Sequence, residues 1–145
     1  MNKVILMGRL TKDPETTYTN SAEPLAISKY TLAVNRRFRR QGEQEADFIN
    51  CTAFGKAGEF ADKYFKKGQM VSVIGRLQVR SWDDNEGKKR WSTDVIVEEQ
   101  YFAESKASFE SHKNNEPAAP APNSDAPKEG FYPVDENASE EESPF

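Results

Sequence analysis

Residues 47–82 read DFINCTAFGKAGEFADKYFKKGQMVSVIGRLQVRSW, and the spacing of their apolar positions changes twice. Strand side chains alternate between two faces. Over residues 47–54 they divide into an apolar set, Ile49, Cys51 and Ala53, and a mixed set, Phe48, Asn50, Thr52 and Phe54. Ala57, Phe60, Ala61 and Tyr64 then fall at i, i+3, i+4 and i+7. That spacing predicts a helix over residues 56–67, with Gly68 placed to end it in a left-handed cap. From residue 70 the alternation returns. Val71, Val73, Gly75, Leu77 and Val79 form a core set, and Arg76, Gln78, Arg80 and Trp82 face the other way.

The same alternation, broken by Gly, Pro, Asn and Asp, predicts further strands at residues 2–10, 26–37 and 89–99. Five short strands with one helix between the third and fourth make an all-β domain. This is the order expected of an oligonucleotide-binding barrel, whereas an open sheet of five strands would leave long unpaired edges. The domain is expected to occupy residues 1–105. Beyond Glu104 stand six of the eight prolines, with Ala, Ser, Asn and Glu and almost no aliphatic residue apart from Val134. Such a stretch cannot bury enough apolar area to offset its ordering entropy, so residues 106–145 are expected to be a disordered acidic linker and tip.

Charge divides at the same place. The chain carries −4 overall, which by itself argues against a phosphate-rich partner. Residues 1–105 carry +2, however, and residues 106–145 carry −6, so the two parts have different work. The single cysteine, Cys51, closes no intrachain disulfide and reads as a small buried side chain in a reducing compartment. The first residues lack the length of a signal peptide and no apolar run reaches a membrane span, so a cytoplasmic protein without membrane contact is expected.

The mixed faces carry the functional signal. Phe48 and Phe54 share theirs with polar side chains, Trp82 stands with Arg76 and Arg80, and Phe38 emerges among Arg36, Arg37, Arg39 and Arg40. Outward aromatics offer stacking surfaces to any base, while Lys and Arg offset phosphates. For a single residue, packing under a loop or solvation of a hairpin explains as much. The cluster as a whole, with Lys3 and Lys56, favours a grip on single strands that needs no particular base.

Residues 1–10, MNKVILMGRL, followed by Asp13-Pro14, then Phe54-Gly55-Lys56, Tyr64 to Gly68, Gly75-Arg76-Leu77 and Trp82, resemble the bacterial single-stranded-DNA-binding protein family. The likeness covers nearly the whole folded part, in order. It implies the oligonucleotide-binding barrel, a homotetramer, and base-stacking roles for Phe38, Phe48, Phe54 and Trp82. The first two are Trp in some members, so Phe offers less stacking area here. It also implies that the acidic tip Glu140, Glu141, Glu142, Ser143, Pro144 and Phe145 recruits replication, recombination and repair proteins. Family members often carry Asp and then Leu or Ile before Pro-Phe, where this chain has Glu and Ser143.

Other signals are weak. Gly55-Lys56 lacks the remainder of a phosphate-binding loop. Residues 83–87, DDNEG, lack a calcium-loop pattern and suit a hairpin turn. The one histidine, His112, lies in the expected linker, so no nucleophile pair is supported. No catalysis, cofactor or metal is expected. The competing readings are an RNA-binding or primosome-type barrel, which would use a similar face, and a metal-dependent nuclease, which would need carboxylates where Phe48, Asn50, Thr52 and Phe54 stand.

Overall fold

The computed structural model describes residues 1–38 and 40–115; Arg39 and residues 116–145 lie outside the described residues. The elements run β1 (Val4–Leu10), β2 (Glu15–Tyr18), β3 (Ala26–Asn35), β4 (Ala46–Phe54), α1 (Lys56–Tyr64), β5 (Met70–Asp83), β6 (Lys89–Phe102) and α2 (Lys106–Asn114). β1 pairs with β5, β5 with β6, β6 with β4, β4 with β3, and β3 again with β1. Five strands thus close a ring, all antiparallel except the β4–β6 pair, with α1 in its expected place. This is the oligonucleotide-binding barrel.

The sixth strand, β2, is an addition to the five expected. Its sequence, ETTY, has no apolar face to announce it. It pairs with Ala26 to Lys29 along the same strand that Arg9 and Leu10 reach at Ala33 and Leu32. β1 and β2 therefore form one path along β3, interrupted around Asp13-Pro14, where proline has no N–H for a ladder.

The interior is filled by Leu10, Tyr30, Leu32, Cys51, Ala53, Ala61, Phe65, Val71, Val73, Val95 and Val97. Phe65 meets Tyr30, Phe60 and Phe102 with ring centroids 5.5–5.7 Å apart in edge-on contacts, the geometry that aromatic quadrupoles prefer. The buried Tyr30 hydroxyl donates to Gln100 Oε1 at 2.8 Å, and Gln100 Nε2 donates to the Ala57 carbonyl at 2.6 Å. Burial raises the Tyr30 hydroxyl well above its ordinary range. Burial, helped by the Asp94 charge, pushes the Cys51 thiol up to about 12. A thiol so placed stays protonated and inert, as a packing residue should.

Four expectations are corrected by the structure. α1 ends at Tyr64 instead of residue 67, because Phe65 turns extended and sends its ring into the core while its N–H still bonds the Ala61 carbonyl. Gly68 is accordingly not a helix cap. At φ 88° it serves the turn in which the Gln69 N–H reaches the Lys66 carbonyl at 3.1 Å, a conformation that glycine adopts without steric cost.

Leu77 and Val79, assigned to the core, are exposed. β1 covers β5 only from Met70 to Gly75, and β4 meets β6 only at Val95 to Val97. Beyond those limits β5 and β6 continue as a two-stranded arm with neither side covered. Gly75 marks the change: a register shift falls between Ile74 and Gly75, and a Cβ there would lie 2.1 Å from the Ile96 carbonyl oxygen.

Lastly, α2 stands in the stretch expected to be linker. The Ser105 hydroxyl accepts from the Ser108 N–H at 3.2 Å and caps its first turn. None of its residues is buried. Among the described residues, no helix is long and apolar enough to cross a membrane.

Candidate nucleic-acid interface

Strand register brings the expected surface residues to one side of the barrel. On β4, Phe48, Asn50, Thr52 and Phe54 alternate outward, opposite Ala33, Thr31, Lys29 and Ile27 of β3. Thr52 meets Ile96 of β6, and from there Ile96, Asp94, Ser92 and Arg90 face Arg76, Gln78, Arg80 and Trp82 of β5. Two mixed faces, read separately in the sequence, are therefore one continuous surface running across β3, β4, β6 and β5.

Its rings face water. Phe38 is 84% exposed, Phe48 59%, Phe54 42% and Trp82 51%. Phe38 belongs to the loop between β3 and β4, closed by the Arg36 N–H on the Glu45 carbonyl at 3.0 Å, so no strand geometry orients it. The Arg37 guanidinium stands 6.0 Å from the centre of the Phe38 ring.

The cations fall into two groups that the sequence does not separate. Arg36 donates from Nε and Nη2 to Asp47 Oδ1 at 2.9 and 2.6 Å. That contact holds the Asp47 carboxyl below the usual carboxylate range and raises the guanidinium further. Arg80 Nη2 donates to Asp94 Oδ2 at 2.7 Å. Lys3, just before β1 and beyond the far edge of β5, pairs with Glu98, which raises its pKa. Arg40, Lys56 and Arg76, by contrast, make no ion pair among the described residues. Lys56 opens α1 two residues after Phe54, past Gly55, at the end of the surface. Arg39 and the tip residues Glu140 to Phe145 lie outside the described residues.

Several surface groups escaped the sequence reading. Lys29 and Thr31 sit on β3, whose faces were not divided there, and Asp94 comes from β6, where charged residues interrupt the alternation. Trp91 also escaped. It faces away from Trp82 on the arm, with the Lys89 ammonium 5.7 Å from its ring.

The turn at the arm's tip uses the acidic residues once compared with a calcium loop. The Asp84 carboxylate accepts from the N–H groups of Lys88 and Glu86 and from Arg90 Nε, all at 2.9 Å. Those bonds hold its pKa down, that from Lys88 most. Gly87 completes the turn at φ 76°.

Residues 1–103 match the single-strand binding protein family. Among similar proteins, "Single-stranded DNA-binding protein 3" of Clostridium acetobutylicum is 47% identical over 104 residues, covering 72% of each chain. "Single-stranded DNA-binding protein" of Halalkalibacterium halodurans is 48% identical over 109 residues, 74% of this chain and 64% of that one. "Single-stranded DNA-binding protein 2" of Listeria monocytogenes is 49% identical over 107 residues, 73% of this chain and 66% of that one.

Proposed function

The chain belongs to the single-strand binding protein family, and from that premise we propose that it holds single-stranded DNA, independently of sequence, on the outer surface of β3, β4, β6 and β5. The observation that carries this reading is the exposure of Phe48, Phe54 and Trp82 on one registered surface with Arg76 and Arg80, and of Phe38 at its margin. Bases stack on the rings, each contributing about 1–3 kcal/mol whatever its identity, while cations meet the phosphates. Arg37, Arg39, Arg40, Lys56 and Arg76 are the expected phosphate contacts. Arg36, Arg80 and Lys3 must share their charge with a carboxylate. The protein is a binding module without catalysis, acting where replication, recombination and repair expose single strands.

Two further parts complete the reading. The chain assembles as a homotetramer; supporting this, β1 leaves the edge of Val4 to Gly8 without a strand partner among the described residues. The tip, Glu140 to Phe145, recruits replication and repair proteins; the sequence supports this by setting a proline and an aromatic after a run of acids.

Titration of the protein with poly-dT at several salt concentrations, followed by tryptophan fluorescence, tests the reading. Quenching that saturates at a fixed number of nucleotides and weakens steeply with salt is expected, with duplex DNA a poor competitor. Equal binding of duplex would remove the stacking argument, and tighter binding of RNA than of DNA would favour the RNA-binding reading.

A further inference from the structure

A cavity of about 260 Å³ opens on the surface at Asn50 and Thr52, which lie between Phe48 and Phe54 along β4. Those rings stand six residues apart on one strand, or about 20 Å, so a DNA strand stacked on both must cross this cavity.

Its chemistry is dominated by donors. Lys29 and Thr52 are cross-strand neighbours, as are Thr31 and Asn50. The Thr31 hydroxyl donates to Asn50 Oδ1 at 3.1 Å, and the Asn50 amide nitrogen, on a residue that lines the cavity, makes no hydrogen bond among the described residues. The Thr52 hydroxyl and the Lys29 ammonium make no hydrogen bond among the described residues. Asp94, the buried acceptor of the lining, already takes Arg80 at 2.7 Å and the Ser92 hydroxyl at 3.3 Å. The other carboxylate, Glu15, is engaged by Lys12 and lies opposite Lys29 in the β2–β3 register, where the Lys29 charge also acts on it. Arg80 is hydrogen-bonded to Asp94 and Lys12 to Glu15, whereas Lys29, although opposite Glu15, makes no hydrogen-bonded ion pair among the described residues. A group with acceptors, no donors and one negative charge fits these partners; nucleobases, which bring N–H donors, fit them less well.

We propose that the cavity seats one phosphodiester of the bound strand, held by the Lys29 ammonium, the Asn50 amide and the Thr52 hydroxyl, between the bases stacked on Phe48 and Phe54. This rests on the reading of the surface as the DNA site, and it makes Lys29 and Asn50 binding residues. The seat fixes the backbone between two stacking points while leaving the base above it unread, in keeping with binding that ignores sequence.

The test compares the parent chain with Lys29→Gln and Asn50→Ala on dT oligomers, across salt and with methylphosphonate in place of phosphodiester at the central linkages. Lys29→Gln should lower the slope of log affinity against log salt by about 0.7, the value for one phosphate contact on a single strand. Asn50→Ala should weaken binding about fivefold, as loss of a single hydrogen bond does. Neither variant should differ from the parent on the methylphosphonate oligomer. An unchanged slope for Lys29→Gln would overturn the seat, and so would a loss that depends on whether the oligomer is dT, dC or dA, since that places a base edge in the cavity. If the parent chain itself fails to bind dT oligomers, the surface has been misread, a result distinct from either.

Discussion

A phenylalanine that faces water on a β-strand forgoes about 1.5–3 kcal/mol of burial, so a surface with several such rings calls for something to cover them. Phe48 and Phe54 alternate outward with Asn50 and Thr52 between them, and Trp82 is reached across β6 through the Thr52–Ile96 and Arg90–Trp82 registers. Each of Phe38→Ala, Phe48→Ala, Phe54→Ala and Trp82→Ala is expected to weaken single-strand binding by about 1–3 kcal/mol while leaving the salt slope nearly unchanged. Four folded variants that bind like the parent would mean that the rings cover another contact. The charged residues behave differently. Arg76→Gln removes a cation without an ion pair among the described residues and should lower the slope by up to about 0.7. Arg80→Gln removes the partner of Asp94, whose carboxylate is almost wholly buried, and is expected to cost about 1–3 kcal/mol of fold stability. Adding Asp94→Asn should recover part of that loss in thermal unfolding; no recovery would show that the pair is not what Arg80 contributes. Phe48, Phe54 and Trp82 were legible because exposure on a mixed face can be read by alternation. The pairing of Arg36 with Asp47 and of Arg80 with Asp94 was not, because each joins residues that only the strand register brings together.

At the scale of elements, periodicity tells which side of a strand a residue takes but not whether that side is covered. Val71, Val73, Leu77 and Val79 share a side of β5, yet only the first two are buried, because β1 and β4 stop short of the arm. The same limit hid β2, which has hydrogen bonds to β3 and no apolar pattern. In α1 the spacing found the helix but missed its anchor. Phe65 lies one residue past the helix end and is fully buried among Tyr30, Phe60 and Phe102, whereas Tyr64, counted in the apolar stripe, is exposed. Phe65→Ala is therefore expected to destabilise the fold by about 3–5 kcal/mol, the range for deleting a buried aromatic, and Tyr64→Ala by much less. Chemical denaturation of the two variants gives the comparison. Equal losses would place the anchor of α1 elsewhere.

For the whole molecule, barrel closure was legible from element order alone, since five strands with one helix leave few arrangements without open edges. How the barrel meets other chains was not, because each such surface depends on what lies against it. Removal of residues 140–145 is expected to leave single-strand binding intact or slightly stronger, because the segment carries only negative charge and no cation to meet phosphate. Recovery of replication and repair proteins in pull-downs should be lost, and Phe145→Ala alone should lose most of it. Equal recovery with all three chains would sink recruitment by the tip.

The remaining edge bears on assembly. Val4 to Gly8 of β1 pair with β5 on one side only, and the other side meets β3 just at Arg9 and Leu10. Open strand edges are templates for another chain. Beside this edge Ile5 and Met7 are exposed, and register sets them against Ile74 and Ser72 of β5, with Tyr101 of β6 opposite Ser72. The aliphatic surface here differs from the DNA surface, since no cation alternates with it on β1 before Arg9. A second copy pairing along β1 would satisfy the free N–H and C=O groups and cover these side chains, and a closed symmetric assembly repeats the contact without leaving an edge. Pairing along β1 joins two copies, and the homotetramer that the family resemblance implies consists of two such pairs, so sedimentation should give four copies of a 16.4 kDa chain. Ile5→Lys with Met7→Lys should dissociate the assembly while each barrel keeps its fold, since both side chains point away from the core. The separated barrels should hold short dT oligomers nearly as before. They should lose affinity for long strands, which bind several barrels at once and gain through effective concentration. A monomer in the parent chain at concentrations well above its DNA dissociation constant would refute tetramer assembly, and long-strand affinity unchanged in the double variant would show that the barrels act singly.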